Sequence, residues 1–193
     1  MSAKSKYSVW LAANYPAAEQ VTAGTGIFPE ILLSQAIIES AKNGHMPGTS
    51  LAKLHNNYFG IKTGKSWKGA AVSLKTGEFT KAGAYQVQPD FFRVYKTPAD
   101  SFKDYVQLLH NKRYAAARAA TTERAQAQEL QAAGYSTNPE YGNIVSALAE
   151  TIKGAGAYIK ANPGKAGAGA AGAAAAALAI TFYYVSQKQK HGR

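Results

Sequence analysis

"LLSQAIIESAKNG", residues 32 to 44, places one acid, Glu39, in a run that is otherwise uncharged until Lys42. Pro29, just ahead of it, suits the first turn of a helix, where the amide that proline lacks would have had no intrahelical acceptor. The spacing predicts a helix from about Phe28 to Ala41: Leu33, Ile37 and Ala41 recur at i, i+4, i+8, and Gln35 and Glu39 form a second i, i+4 pair beside them. Glu39 then falls in the last turn, where its charge meets the negative end of the helix dipole. A residue placed against its local preference points to function.

Working outward, residues 56 to 94 change character. Gly60, Gly64, Gly69, Gly77 and Gly83 separate short runs such as "AAVSL" and "FFRVY" that suit strands, so a small hairpin lobe is expected. After it, Thr97, Pro98 and Asp100 read as N-cap, first helical residue and capping-box acid, with Phe102, Tyr105, Val106 and Leu109 on one helical face. A further helix is expected to end at Ala133 with Gly134 as its left-handed cap. Asn138 and Pro139 start another, carrying Tyr141, Ile144, Val145, Leu148 and Ile152 as one stripe. The predicted class is α+β, mainly α, with one small β-hairpin lobe.

The chain of 193 residues suits one ordinary domain with sequence left over. All eleven acids lie in residues 1 to 150 beside sixteen bases, while the last 43 residues hold six bases and no acid. From Gly154 the composition turns to Gly and Ala, so the domain is expected over 1–153 and a linker over 154–165. Residues 166–187 carry no charge; as a helix they would extend about 33 Å, the thickness of a bilayer core. Tyr183 and Tyr184, then Lys188, Lys190 and Arg193, resemble an interfacial pair and a basic anchor, so a transmembrane helix followed by a basic tail over 188–193 is expected. An Ala/Gly-rich linker or soluble helix is the alternative.

A net charge of +11 suits an anionic partner. No helix-turn-helix pattern, zinc spacing or aromatic-studded basic stripe accompanies it, so nucleic acid is not expected. With no cysteines, a disulfide framework, a thiol nucleophile and cysteine-bound metal are excluded. The histidines, 45, 55, 110 and 191, show no ligand spacing, and no metal or cofactor is expected. The first twenty residues lack the uninterrupted apolar core of a secretory signal and read as mature sequence.

Five stretches, "LLSQAIIES", "NNYFGIK", "KTGEF", "FRVYKTPADSFKDYVQLL" and "AAGYSTNPEYGNIV", occur in the order and approximate spacing of glycoside hydrolase family 73. The chain resembles that family, peptidoglycan-cutting β-N-acetylglucosaminidases of the flagellar-rod type, over residues 28 to 152. The resemblance implies a lysozyme-like fold and makes Glu39, in the motif Gln35-Ala36-x-x-Glu39-Ser40, the general acid. Such an acid must hold its proton until it reaches the leaving oxygen, and apolar surroundings favour the neutral form. Glu78 matches the family's second acid, either a base that activates water or a group that stabilises attack by the substrate's own N-acetyl group; as a plain hairpin residue it would have no such role.

By the same resemblance Asn57, Tyr58 and Phe59 floor the cleft, an amide for the acetamido group and aromatic faces for sugar rings. Tyr141 matches a tyrosine of the active cleft, with Tyr135 nearby; Tyr141 also fits its helix stripe as core, and Ile61 reads as core. Two departures stand out. Asn138-Pro139 replaces Asp-Pro, and Ser40-Ala41-Lys42-Asn43-Gly44 replaces Ser-Gly-Trp-Gly, removing the aromatic beside the acid.

The expected function is hydrolysis of the β-1,4 bond after N-acetylglucosamine in peptidoglycan glycan strands. Alternatives are a lytic transglycosylase of similar fold and an inactive wall-binding module. With a membrane anchor and no secretory signal, two placements fit: the bacterial envelope, or a phage particle with an internal membrane, where the protein would serve as a lysin.

Overall fold

A computed structural model describes residues 3–79 and 85–162, with side chains from Tyr7 onward except at 76, 78, 79, 85 and 86. The expected apolar helix over 166–187 and the basic tail lie outside the described residues. Among those described, no helix is long and apolar enough to cross a membrane.

Helix α1, Ala3–Thr22, is an element for which the sequence reading had no expectation. Pro16 lies inside it and cannot supply the amide that the turn before it would accept. Packing outweighs that loss, because Tyr7, Trp10, Leu11, Tyr15 and Ala18 all bury one face. Helix α2, Pro29–Ser40, carries the opening motif and is buried on almost every side. It begins at Pro29 as expected and stops at Ser40, where Ala41 turns to extended backbone and the Ser40 carbonyl accepts from the amides of Gly48 and Thr49.

Between α2 and the next helix, Lys42 and His45 exchange backbone hydrogen bonds of 3.2 and 2.9 Å around Asn43 and Gly44, both at positive φ. This is the two-residue Asn-Gly hairpin turn, which needs left-handed backbone at both positions. Helix α3, Ser50–His55, follows, capped by Thr49.

Strands β1, Ala71–Phe79, and β2, Tyr85–Arg93, form the expected hairpin, antiparallel from Ala71 opposite Arg93 to Phe79 opposite Tyr85. Its root is clasped to helix α4, Pro98–Leu109. Arg93 donates through Nη1 to both carboxylate oxygens of Asp104, at 2.8 and 2.7 Å, and through Nε to the Lys62 carbonyl, while its guanidinium lies over the Trp67 ring. Tyr95 also donates to Asp104. At the start of α4 the capping box of Thr97 and Asp100 is present as read from the sequence.

A 3-10 turn, Lys112–Tyr114, leads into α5, Ala115–Ala119, and α6, Glu123–Ala132. α6 ends on Ala133 with Gly134 left-handed at φ +73°. The Gly134 amide donates to Gln131 and the Tyr135 amide to Leu130, the paired bonds of a Schellman cap.

Helix α7, Tyr141–Ala161, corrects two boundaries. Asn138 caps the turn before the helix, its Oδ1 accepting from the Glu140 amide at 2.8 Å, and Glu140 holds the N-cap position. The linker expected from residue 154 is helical through Ala161: Ala155 and Ile159 are buried, and Gly156 lets α7 approach Tyr15 of α1. Small residues there serve close helix packing. α7 packs on α2 and α6, and α1 packs on α2, α4 and α7, so α2 lies at the centre of a mainly helical domain with one small β lobe.

Candidate active site

Glu39 sits in the last turn of α2, half-buried, where the chain leaves the core. One turn earlier on the same helix Gln35 is wholly buried. Its Nε2 donates to the Tyr141 hydroxyl at 2.7 Å, and its Oε1 accepts from the Tyr105 hydroxyl. One amide thus joins α2, α4 and α7 beneath the acid.

The rings around this amide form an aromatic floor. Tyr135 stacks on Tyr141 at 5.5 Å and 23°, meets Tyr105 edge-on at 6.3 Å and Tyr114 at 6.1 Å. Phe59 stacks on Tyr105 at 4.0 Å. Tyr135 is placed here by the Schellman cap of α6, and Tyr141 by the first turn of α7, whose Gly142 amide donates to Gln131 Oε1 at 2.6 Å. Burial first, then the Glu39 charge, pushes the Tyr135 hydroxyl well above the usual phenol range. Burial does the same to Tyr105. At neutral pH both remain protonated donors, and Tyr135 lies within electrostatic reach of Glu39.

The residues expected from the sequence divide. Tyr135 and Tyr141 come together, and Tyr141, 1% exposed, accepts from the Gln35 amide one turn before Glu39. The NNYFGIK loop corrects the cleft-floor expectation. Asn57 is buried, with Nδ2 donating to the carbonyls of Ile61 and Arg93 and Oδ1 accepting from the Ile61 amide, so both N–H groups are occupied in shaping the loop. Tyr58 is buried against Trp10 and Phe102, accepting from the Trp10 indole at 3.3 Å. Phe59 is 9% exposed and supports Tyr105 from below. Ile61 is core, as read. Backbone polar groups in a loop that crosses the core need internal partners, and the Asn57 amide and the Ser101 hydroxyl supply them here.

Glu78 lies near the loop end of the hairpin, in register with Gln86; its side chain is outside the described residues. Tyr105 looks in sequence like one more member of a buried stripe, and Gln35 stands out there only through its i, i+4 spacing and shared motif with Glu39. Replacing Gln35 by Leu is expected to cost about 2 kcal/mol, because two buried phenols lose a partner. Thermal unfolding checks this: a cost under about 0.5 kcal/mol, the range of an ordinary surface change, would show the amide to be dispensable.

A family model described as mannosyl-glycoprotein endo-beta-N-acetylglucosaminidase matches residues 15–154. The peptidoglycan hydrolase FlgJ of Salmonella typhimurium is 34% identical over 130 residues, covering 67% of this chain and 41% of the relative. The exo-glucosaminidase LytG of Bacillus subtilis is 32% identical over 130 residues, covering 64% and 44%. The chain spans about two fifths of the length of these curated relatives. The solved glycoside hydrolase domain of Salmonella typhimurium FlgJ superposes with a TM-score of 0.62 at 28% identity, covering 83% of this chain and 94% of that one. Family model, curated relatives and solved fold agree, and the chain belongs to the glucosaminidase family, glycoside hydrolase family 73.

Proposed function

We propose that the chain hydrolyses the β-1,4 bond after N-acetylglucosamine in peptidoglycan, with Glu39 as the general acid. The observation that carries this reading is the setting of Glu39: a half-buried carboxylate in the last turn of a buried helix, one turn beyond the Gln35 amide that ties the aromatic floor together. A protonated Glu39 delivers its proton to the glycosidic oxygen as the C–O bond breaks. The Tyr135 hydroxyl, kept protonated by its surroundings, donates toward the acid or the sugar.

Tyr141, Tyr105 and Gln35 position these two groups without touching the sugar. Glu78 supplies the second carboxylate from the hairpin, as base for the attacking water or as stabiliser of the N-acetyl group. The family relation and its place in the "KTGEF" motif support that role. Mass spectrometry of muropeptides released from purified peptidoglycan tests the reaction. Reducing-end N-acetylglucosamine is expected; anhydro-muramic ends would instead indicate a transglycosylase, and absence of product a binding module.

A membrane anchor over 166–187 is proposed on the length of that uncharged segment and its flanks. It would hold the domain at the bacterial envelope or within a phage particle that carries a membrane. The full chain is expected to need detergent for solubility, and truncation at Gly164 to abolish the need; a full-length chain soluble without detergent would remove the anchor.

A further inference from the structure

We propose that Arg113 sets substrate preference by receiving a carboxylate on the muramic-acid side of the glycan, favouring anionic muramyl chains over neutral N-acetylglucosamine polymers. This rests on the glycosidase reading above and adds a specificity residue to it.

Arg113 lies in the 3-10 turn, where the Asn111 side chain accepts from its backbone amide at 3.1 Å. Its guanidinium sits 4.5 Å over the Tyr114 ring and donates to the Tyr114 hydroxyl. Tyr114 is buried and is one of the rings that touch Tyr135, whereas Arg113 is exposed. A cation is therefore held in orientation at the edge of the aromatic floor.

It is oriented without being neutralised. Among the described residues, ion pairs join Lys62 to Asp90, Arg93 to Asp104, Lys153 to Glu123 and Lys160 to Glu19. Arg113 is in none of them, and Tyr114 takes one of its five N–H donors. Arg93 makes the contrast: its guanidinium is enclosed by Asp104, two backbone carbonyls and Trp67. That arginine holds the fold together. Arg113 is exposed to solvent.

Side-chain contacts link the cation to the acid: Tyr114, under the Arg113 guanidinium, meets Tyr135 at 6.1 Å, Tyr135 stacks on Tyr141 at 5.5 Å, and the Tyr141 hydroxyl accepts from Gln35, one turn before Glu39 on α2. A glycan strand that follows this line with its glycosidic oxygen at Glu39 carries its neighbouring unit toward Arg113. In peptidoglycan that unit bears a lactyl ether, ending in a free carboxylate or in a stem peptide with carboxylates of its own. A chitin oligomer bears neither. A planar guanidinium already stacked on a ring matches a carboxylate and has less freedom to lose on binding it.

The test is calorimetric binding to the full chain carrying Glu39→Gln, with Arg113→Gln or Arg113→Lys added. Three soluble tetrasaccharides serve as probes: alternating N-acetylglucosamine and muramic acid with stem peptides, the same with stems removed to free the lactyl carboxylates, and chitotetraose. Arg113→Gln is expected to weaken a carboxylate-bearing probe about tenfold, the scale of one charge-assisted pair, and chitotetraose less than twofold. Arg113→Lys should retain part of the difference. Whichever anionic probe loses more identifies the stem or the lactyl group as the carboxylate. Equal loss on all three probes, no loss on any, or no binding of the anionic probes overturns the proposal. Release of reducing-end N-acetylglucosamine by the unsubstituted chain is scored separately, so the specificity role can fail while the glycosidase reading stands.

Discussion

Replacing Glu39 by Gln is expected to lower turnover of peptidoglycan by about 10²- to 10⁴-fold, the usual contribution of a general acid. The substitution keeps the side chain's size and removes the transferable proton. Stability should change by less than about 0.5 kcal/mol, because the substitution is isosteric and Glu39 is only half-buried at the helix end. Activity and stability therefore move apart, and this separates a catalytic role from a structural one. Turnover of cell-wall suspensions, followed beside thermal unfolding of the same samples, makes the comparison. Undiminished lysis by the glutamine variant would remove Glu39 from the chemistry. An equal collapse of both activity and melting temperature would make it a structural residue.

Gly156→Ala is expected to destabilise the domain by about 3 kcal/mol. In an exposed helix the same change would gain about 1 kcal/mol from propensity. Here an added Cβ would lie 2.2 Å from Cζ of Tyr15 and 2.5 Å from its hydroxyl oxygen, far inside contact distance. The ring has little room to withdraw. It is 3% exposed, its hydroxyl donates to Glu30 Oε1 at 2.5 Å, and Lys160 lies 5.6 Å above it while also pairing with Glu19.

Glu30 is 6% exposed in the first turn of α2. Moving the Tyr15 hydroxyl away leaves that carboxylate buried without its donor, and the clash and the stranded acid together exceed the propensity gain. At this chain length the melting temperature should fall by roughly 6–12 °C. In a double-mutant cycle with Tyr15→Leu the clash should be relieved, giving a coupling above about 1 kcal/mol. Strict additivity would show that Gly156 and Tyr15 do not meet as described.

The local elements were largely legible. The capping box at Thr97, the left-handed stop at Gly134, the proline start of α2 and the strand runs around the lobe each follow from short-range rules, and the structure contains each of them. Those rules act within a few residues, so a single sequence suffices to read them. α1 was not read because Pro16 and Glu19 interrupt its apolar pattern, and only packing against α2, α4 and α7 stabilises it. The end of α7 was misplaced for a related reason. Gly and Ala resemble a linker in composition but become a close-packing face once Tyr15 stands opposite.

The candidate site shows the same division. By itself, the sequence determined the helix that carries Glu39, the position of that acid in the last turn, and the family to which the motif belongs. Whether each accompanying polar or aromatic residue meets the substrate or the core was decided only by tertiary structure. Asn57 and Tyr58 look like sugar-binding residues and turn inward, since the carbonyls of Ile61 in their own loop and of Arg93 at the end of β2, and the Trp10 indole, need partners. Tyr105 looks like core and joins Gln35 in the tether beneath the acid. A side chain's type states which bonds it can make; the partner it finds depends on residues up to 106 positions away, brought within 2.7 Å by packing.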